Sequence, residues 1–174
     1  MKAATPVAAC ELPAHSLLGK YRASGYADCY SAEITPPVSH AEYVEVFYTT
    51  KPFKLERLLL RWLVSRPSTD AQARELAAGS LDRFAAWTVE ARAADQLLLC
   101  DFHGRTRSWL MSEPLANGEG TRLYFGSAVV PSVDRATGKA RMGFVFGALL
   151  GFHKIYSQVL LRAAVARLAE RGRS

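Results

Sequence analysis

Between residues 84 and 130 the sequence alternates with a period of two four times over, as FAAWTVEAR, QLLLCDF, RTRSWLMS and TRLYFGSAVV, with ARAADQ, His103-Gly104 and NGEG marking the connections. Strands joined so closely can pair only antiparallel, because a parallel crossover consumes a dozen residues or more. The stretch therefore predicts a four-stranded meander. Everything else in the chain has to cover the faces of that sheet.

Turn length sets the register. A two-residue turn at His103-Gly104 places Cys100 opposite Arg107, Leu98 opposite Trp109 and Gln96 opposite Met111. With Ala94-Asp95 as the preceding turn, Ala91 meets Leu98, Val89 meets Cys100 and Trp87 meets Phe102. One face, read as the inner one, then collects Trp87, Val89, Ala91, Leu98, Cys100, Phe102, Trp109 and Met111, and through the NGEG turn Tyr124, Gly126 and Ala128. The opposite face carries Thr88, Glu90, Arg92, Asp101, Thr106 and Ser108, with Leu97, Leu99 and Leu110 as exceptions. Small residues across from aromatic ones leave room on the inner face for a covering helix or a ligand.

The flanks read as one further strand and four helices. YADCYSAEI, residues 26–34, is strand-like and stops at Pro36-Pro37. Ser39 and Glu42 make a capping-box pattern for a helix over 39–49. Residues 53–65 place Leu55, Leu58, Leu59, Trp62 and Leu63 on one face and Lys54, Arg57 and Arg61 on the other. Ser68-Thr69-Asp70 caps a short helix closed by Gly79, and a long helix is predicted over 142–171. Its apolar arc is read as Val145, Leu149, Phe152, Tyr156, Val159 and Ala163, while Gly143, Gly147 and Gly151 continue the polar row Lys154, Gln158 and Arg162. That glycine row predicts a closely packed neighbour or a movable cavity edge, and leaves a homodimer contact open. The apolar run from Met142 ends at His153-Lys154, well short of the roughly twenty residues of a membrane span. With 174 residues the chain is read as an irregular extension over 1–20 and a single domain over 21–174.

A strand, two or three short helices, a meander and a long amphipathic C-terminal helix follow one another in the order of the helix-grip fold. Over residues 26–171 the chain resembles the START and polyketide-cyclase-like (SRPBCC) superfamily. VEVFYTTKPFKLERLLLRWL, GRTRSWL and TRLYFGSAV are similar to stretches of an uncharacterised bacterial family within it. The resemblance implies an α+β domain in which a curved antiparallel sheet, here of about five strands, grips the C-terminal helix around a mostly apolar cavity.

The residues expected to line that cavity are Trp87, Arg107, Trp109, Met111, Glu113 and Tyr124 from the meander, with Asp28 and Tyr30 from the first strand. A buried guanidinium needs a partner, so Arg107 is expected to meet a carboxylate such as Asp28 or Glu113, to reach the cavity mouth, or to bind an acidic ligand. Tyr26, Asp28 and Tyr30 share a face and could orient the polar end of an apolar molecule. Cys100, Asp101 and His103 have the residue types of a nucleophilic triad, but alternation sends the first two to opposite faces. His15 and His40 are read as exposed, His153 flanks the apolar arc, and none of the histidines has ligand spacing, so neither metal nor cofactor is expected.

Cys10, Cys29 and Cys100 are odd in number and lack CxxC spacing, which fits a reducing cytoplasm better than a disulfide framework. The proline and glutamate within ATPVAACELPAHSLL disfavour a signal peptide. The net charge of +6 arises from 22 Lys and Arg against 16 Asp and Glu. Without a recognised motif this does not indicate nucleic acid, although the basic helix 53–65 admits peripheral contact with acidic lipid beside its plainer reading as a solvated face. The expected function is cytoplasmic binding of a small hydrophobic molecule with an acidic end near Arg107. Two alternatives are an enzyme of cyclase, hydrolase or isomerase type using Asp28, Arg107, Glu113 and Tyr124, and a lipid-surface or interaction protein acting through helix 53–65.

Overall fold

The computed structural model describes residues 3–23, 25–55, 68–130, 132–133, 140–141 and 144–171. Most of the basic helix 53–65, its residues 56–65, and Gly143 lie outside the described residues, as do the side chains of residues 144–153.

An antiparallel sheet seven strands across forms the body of the fold. In chain order the strands are β1 Ala3–Ala4, β2 Ala8–Ala9, β3 Tyr26–Thr35, β4 Arg83–Phe84, β5 Trp87–Ala93, β6 Gln96–Asp101, β7 Thr106–Pro114 and β8 Thr121–Val129. Their spatial order is β1-β3-β8-β7-β6-β5-β4, with β2 pairing β3 beside β1. A small ribbon of β9 Ser132–Val133 and β10 Ala140–Arg141 stands apart. Among the described residues the helices are α1 His40–Tyr48, α2 Asp70–Ala78 and α3 Phe144–Arg171, with a 3₁₀ helix at Leu17–Tyr21 and residues 51–55 also helical.

The expectation of about five strands holds for the five long ones and misses three pairs of residues. β1 and β2 come from the segment read as irregular, where alanine-rich dipeptides give no periodicity to read. β4 comes from FAAW, taken as the start of one strand. Ala85 instead adopts φ 52° in a tight turn that folds Phe84 back onto Trp87. Alanine has none of the usual turn chemistry, so the hairpin leaves no mark in the sequence.

Helix boundaries follow their caps. Ser39 accepts from the Glu42 backbone at 3.1 Å, starting α1. Thr69 and Gln72 form a reciprocal capping box on α2, which Gly79 closes at φ 81°. In α3 the buried stripe runs through Ser157, Leu160, Leu161, Ala164, Val165 and Leu168, while Val159 is 39 % exposed. Of the predicted arc, Tyr156 packs against the core and Val159 does not, while the side chains of Val145, Leu149 and Phe152 lie outside the described residues. Among the described residues, no helix is long and apolar enough to cross a membrane.

The two faces of the sheet are covered differently. α1, α2 and the second half of α3 lie on one face, packing on Tyr30, Ala32, Ile34, Leu97, Leu99, Leu110, Leu123 and Phe125. The 3₁₀ helix covers the other, where Leu18 meets Cys29, Leu98, Trp109, Met111, Tyr124 and Ala128. Leu97, Leu99 and Leu110, which stood out as apolar exceptions on the presumed outer face, are core beneath the helices. Over that core the rings of Phe47, Tyr48, Phe53 and Phe84 fill the space edge to face and stacked, with centroids 4.8 to 6.3 Å apart.

Candidate functional site

The β6–β7 register is the expected one, with Gln96 across from Met111, Leu98 from Trp109 and Cys100 from Arg107. Between β5 and β6 it departs by one residue. A bulge between Val89 and Ala91 brings Val89 opposite Leu99 and Trp87 opposite Asp101. An extra residue on one strand reverses the facing of everything beyond it. Trp87 and Val89 therefore pack with the helix-side core, while Ala91 stays on the far face. Across β7 and β8, Met111 faces Tyr124, Trp109 faces Gly126, Arg107 faces Ala128 and Glu113 faces Arg122.

These registers divide the eight expected ligand-binding residues. Arg107, Trp109, Met111, Glu113 and Tyr124 belong to the face beneath the 3₁₀ helix. Asp28, Tyr30 and Trp87 belong to the helix-covered face, where β3 and β5 are four strands apart, roughly 19 Å at ordinary strand spacing. Asp28 and the Arg107, Glu113 and Tyr124 group are thus on opposite sides of the sheet and cannot serve one reacting centre.

Beneath the 3₁₀ helix the room left by small residues is already taken. A Cβ added to Gly126 would lie 2.8 Å from Leu18 Cδ2 and 2.9 Å from Trp109 Cε3, so leucine and indole occupy the space that glycine vacates. Buried Gln96 fastens this arrangement, its Oε1 accepting from Trp109 Nε1 and from the Leu17 backbone N–H, both at 2.9 Å. Its Nε2 donates to the His15 carbonyl at 3.2 Å.

Arg107 finds a partner that the sequence reading did not name. Its Nε donates to Glu90 Oε2 at 2.7 Å and to the Tyr21 hydroxyl at 3.0 Å, and Nη1 donates to the Gly104 carbonyl at 2.6 Å. The guanidinium carbon also lies 4.6 Å from the Tyr21 ring centroid. Glu90 takes Lys20 at 2.5 Å as well. Burial pushes the Glu90 carboxyl up, but hydrogen bonds from Lys20 and Tyr21 and the Arg107 charge outweigh it and hold the group below its ordinary range. The bulge at residue 90 is what brings this carboxylate over the Arg107 strand, and a bulge has no signature in residue composition. Nearby, Tyr124 donates to Glu113 Oε2 at 2.7 Å, whose Oε1 lies 3.1 Å from His15 Nε2.

Asp101 accepts from the backbone N–H groups of Arg105 at 2.7 Å and Thr106 at 2.8 Å, so it shapes the β6–β7 turn. Burial raises the Cys100 thiol. No triad forms, as alternation predicts. His40, read as exposed, is half-buried with Nδ1 3.2 Å from Ser112 Oγ and Nε2 buried without a hydrogen-bond partner. Burial lowers its pKa to about 4. Among the described residues no group of three metal-binding side chains occurs.

The expected polar face of β3 does border an open space. Tyr26, Asp28 and Tyr30 line a groove of about 610 Å³ together with Cys10 and Leu12 from the N-terminal segment and Lys154 and Gln158 from α3. β2 pairs only with Tyr30 and Ser31, so at Tyr26 to Asp28 the N-terminal segment and α3 are not bridged by a β2 pairing. Asp28 is held by the Ser127 hydroxyl at 2.5 Å and backbone N–H at 3.1 Å, with the Tyr26 hydroxyl at 3.4 Å. Lys154 Nζ stands 5.5 Å from the Tyr26 ring centroid. Burial, then the Asp28 charge, raises the pKa of both tyrosines, which keeps their hydroxyls as neutral donors at neutral pH. Lys154 and Gln158 were legible only as a polar row on the last helix. That the row meets β3 follows from packing.

Compared with family models, with curated proteins and with solved structures, the chain matches none.

Proposed function

We propose that the protein binds a small, largely apolar molecule with an acidic end in the groove between β3, the N-terminal segment and the outer row of α3. The observation that carries this reading is the convergence of Tyr26, Asp28 and Tyr30 with Lys154 and Gln158 around about 610 Å³, a volume within the range of small-ligand sites. Leu12, Ala27 and the two phenol rings offer apolar contact, Lys154 and Arg22 offer cations, and Gln158 and the Tyr30 hydroxyl offer donors. Asp28 is satisfied by Ser127 and serves to orient Tyr26 rather than to meet the ligand.

The helix-grip reading is part of the same proposal. An antiparallel sheet with a long C-terminal helix laid against β3 and β8 supports it, and so does the order of elements. The ligand then sits at the edge of the grip rather than under its middle, where aromatic rings already fill the space. Arg107 falls outside the site, since Glu90 neutralises it internally.

Native mass spectrometry of the purified full chain tests the proposal. The expected result is a retained compound of low mass in the wild type, lost or weakened at least several-fold in Lys154→Glu and retained in Arg107→Met. Equal retention in wild type and Lys154→Glu would overturn the assignment of the acidic end.

A further inference from the structure

Cys10 and Cys29 stand nineteen positions apart in the sequence, a spacing with no meaning in a thiol motif, yet topology brings them together. β2 pairs with β3 through Ala8 and Ser31 and through Ala9 and Tyr30, so the next position of the register sets Cys10 against Cys29. The Cys10 backbone N–H donates to the Cys29 carbonyl at 2.9 Å, and the two sulfurs lie 3.1 Å apart. Directly opposed residues of an antiparallel pair have the Cα separation that a disulfide spans. Both thiols are free in this structure, and Cys100, on β6, is three strands away from Cys29.

The two thiols differ in access. Cys29 is 4 % exposed against the sheet, whereas Cys10 is half-buried and borders both the β3–α3 groove and a second groove of about 480 Å³ lined by Ser31, Arg122 and Tyr124. A hydrogen bond from the Cys29 thiol favours the Cys10 thiolate, outweighing burial, with help from Ser31 and the Arg122 charge. An accessible thiolate backed by a buried partner within bonding reach is the arrangement of an attacking and a resolving cysteine.

We propose that Cys10 and Cys29 form a reactive dithiol that closes to a disulfide by exchange with low-molecular-mass disulfides, reversibly bolting the N-terminal segment to β3. The Cys10 thiolate attacks one sulfur of the small disulfide RSSR. The S–S bond of the reagent breaks, a Cys10–SR bond forms, and RS⁻ leaves with the proton that Cys10 gave up. Cys29 then attacks Cys10 Sγ, its thiol proton passing to the departing sulfur, and expels the second thiol as RSH. The two protein thiols are oxidised and RSSR is reduced to two RSH. The exchange needs no ligand in the groove, although Cys10 borders it.

The test uses the full chain equilibrated with mixtures of oxidised and reduced glutathione, alkylated and mapped without reductant. The expected result is a Cys10–Cys29 linked peptide pair, with Cys100 alkylated throughout and full reversal by excess reduced glutathione. Cys29→Ser is expected to accumulate the mixed disulfide on Cys10, and Cys10→Ser to leave Cys29 unmodified in the folded protein. Circular dichroism confirms that each variant is folded, and Cys10→Ala and Cys29→Ala replace any that is not. Persistence of the Cys10 mixed disulfide in wild type, or modification of Cys100 ahead of Cys10, would overturn the proposal.

Discussion

Trp109 and Gly126 face each other across β7 and β8 so closely that a methyl group on Gly126 would stand 2.9 Å from the indole and equally near the Asp28 carbonyl. The glycine is required by what lies above it. Leu18 from the 3₁₀ helix and the Trp109 ring meet over this position, so a chain segment that looked like an extension becomes part of the core. Gly126→Ala is expected to destabilise the fold by about 1–3 kcal/mol through overpacking. Urea unfolding monitored by tryptophan fluorescence measures it, and an unchanged midpoint would mean that the 3₁₀ helix is not seated as described.

Arg107 and Glu90 form an internal ion pair, their side chains 11 % and 20 % exposed. Arg107→Ala is expected to cost about 2 kcal/mol, discounted from the fully buried case for partial solvation. A double-mutant cycle with Glu90→Gln should return a coupling of about 1 kcal/mol. Because the Glu90 carboxyl is held below its ordinary value of 4.5, its contribution is present above that pH and is lost as pH falls through the lower folded value.

His40 gives a separate acid response. Burial keeps the imidazole neutral, with Asp95 favouring and Arg92 opposing its protonation, and its pKa falls from 6.5 to about 4. The unfolded chain therefore takes up a proton between those values that the folded one refuses, so stability falls as pH drops from 6.5 toward 4. The loss attributable to this group is about 3 kcal/mol at most. His40→Gln should flatten the stability profile across that window, as followed by thermal unfolding at successive pH values. A profile unchanged by the substitution would place the imidazole in water.

The meander, the long C-terminal helix and the caps of α1 and α2 were legible because period, turn length and capping residues are local signals. Ser39 and Thr69 sit where their side chains predict. The facing of the sheet was not. Both faces of β6 are buried, so Leu97 and Leu99 look like Leu98, and alternation cannot say which face the helices take. Glu90 illustrates a second limit, since one bulged residue moved Trp87 to the other face and delivered the partner of Arg107. Of the groove, Tyr26, Asp28 and Tyr30 were readable as neighbours on one strand. The approach of Lys154 and Gln158, like that of Cys10 to Cys29, depends on tertiary packing that no spacing encodes.

Whether a ligand with an acidic end occupies the β3–α3 groove is decided by an ¹H–¹⁵N NMR titration of the full chain with decanoate. The expected result is saturable shifts concentrated at residues 26–30, 154–158 and 10–12, abolished by Lys154→Glu. Saturable shifts centred instead on Trp109, Met111 and Tyr124, or no saturable shifts at all, would contradict it.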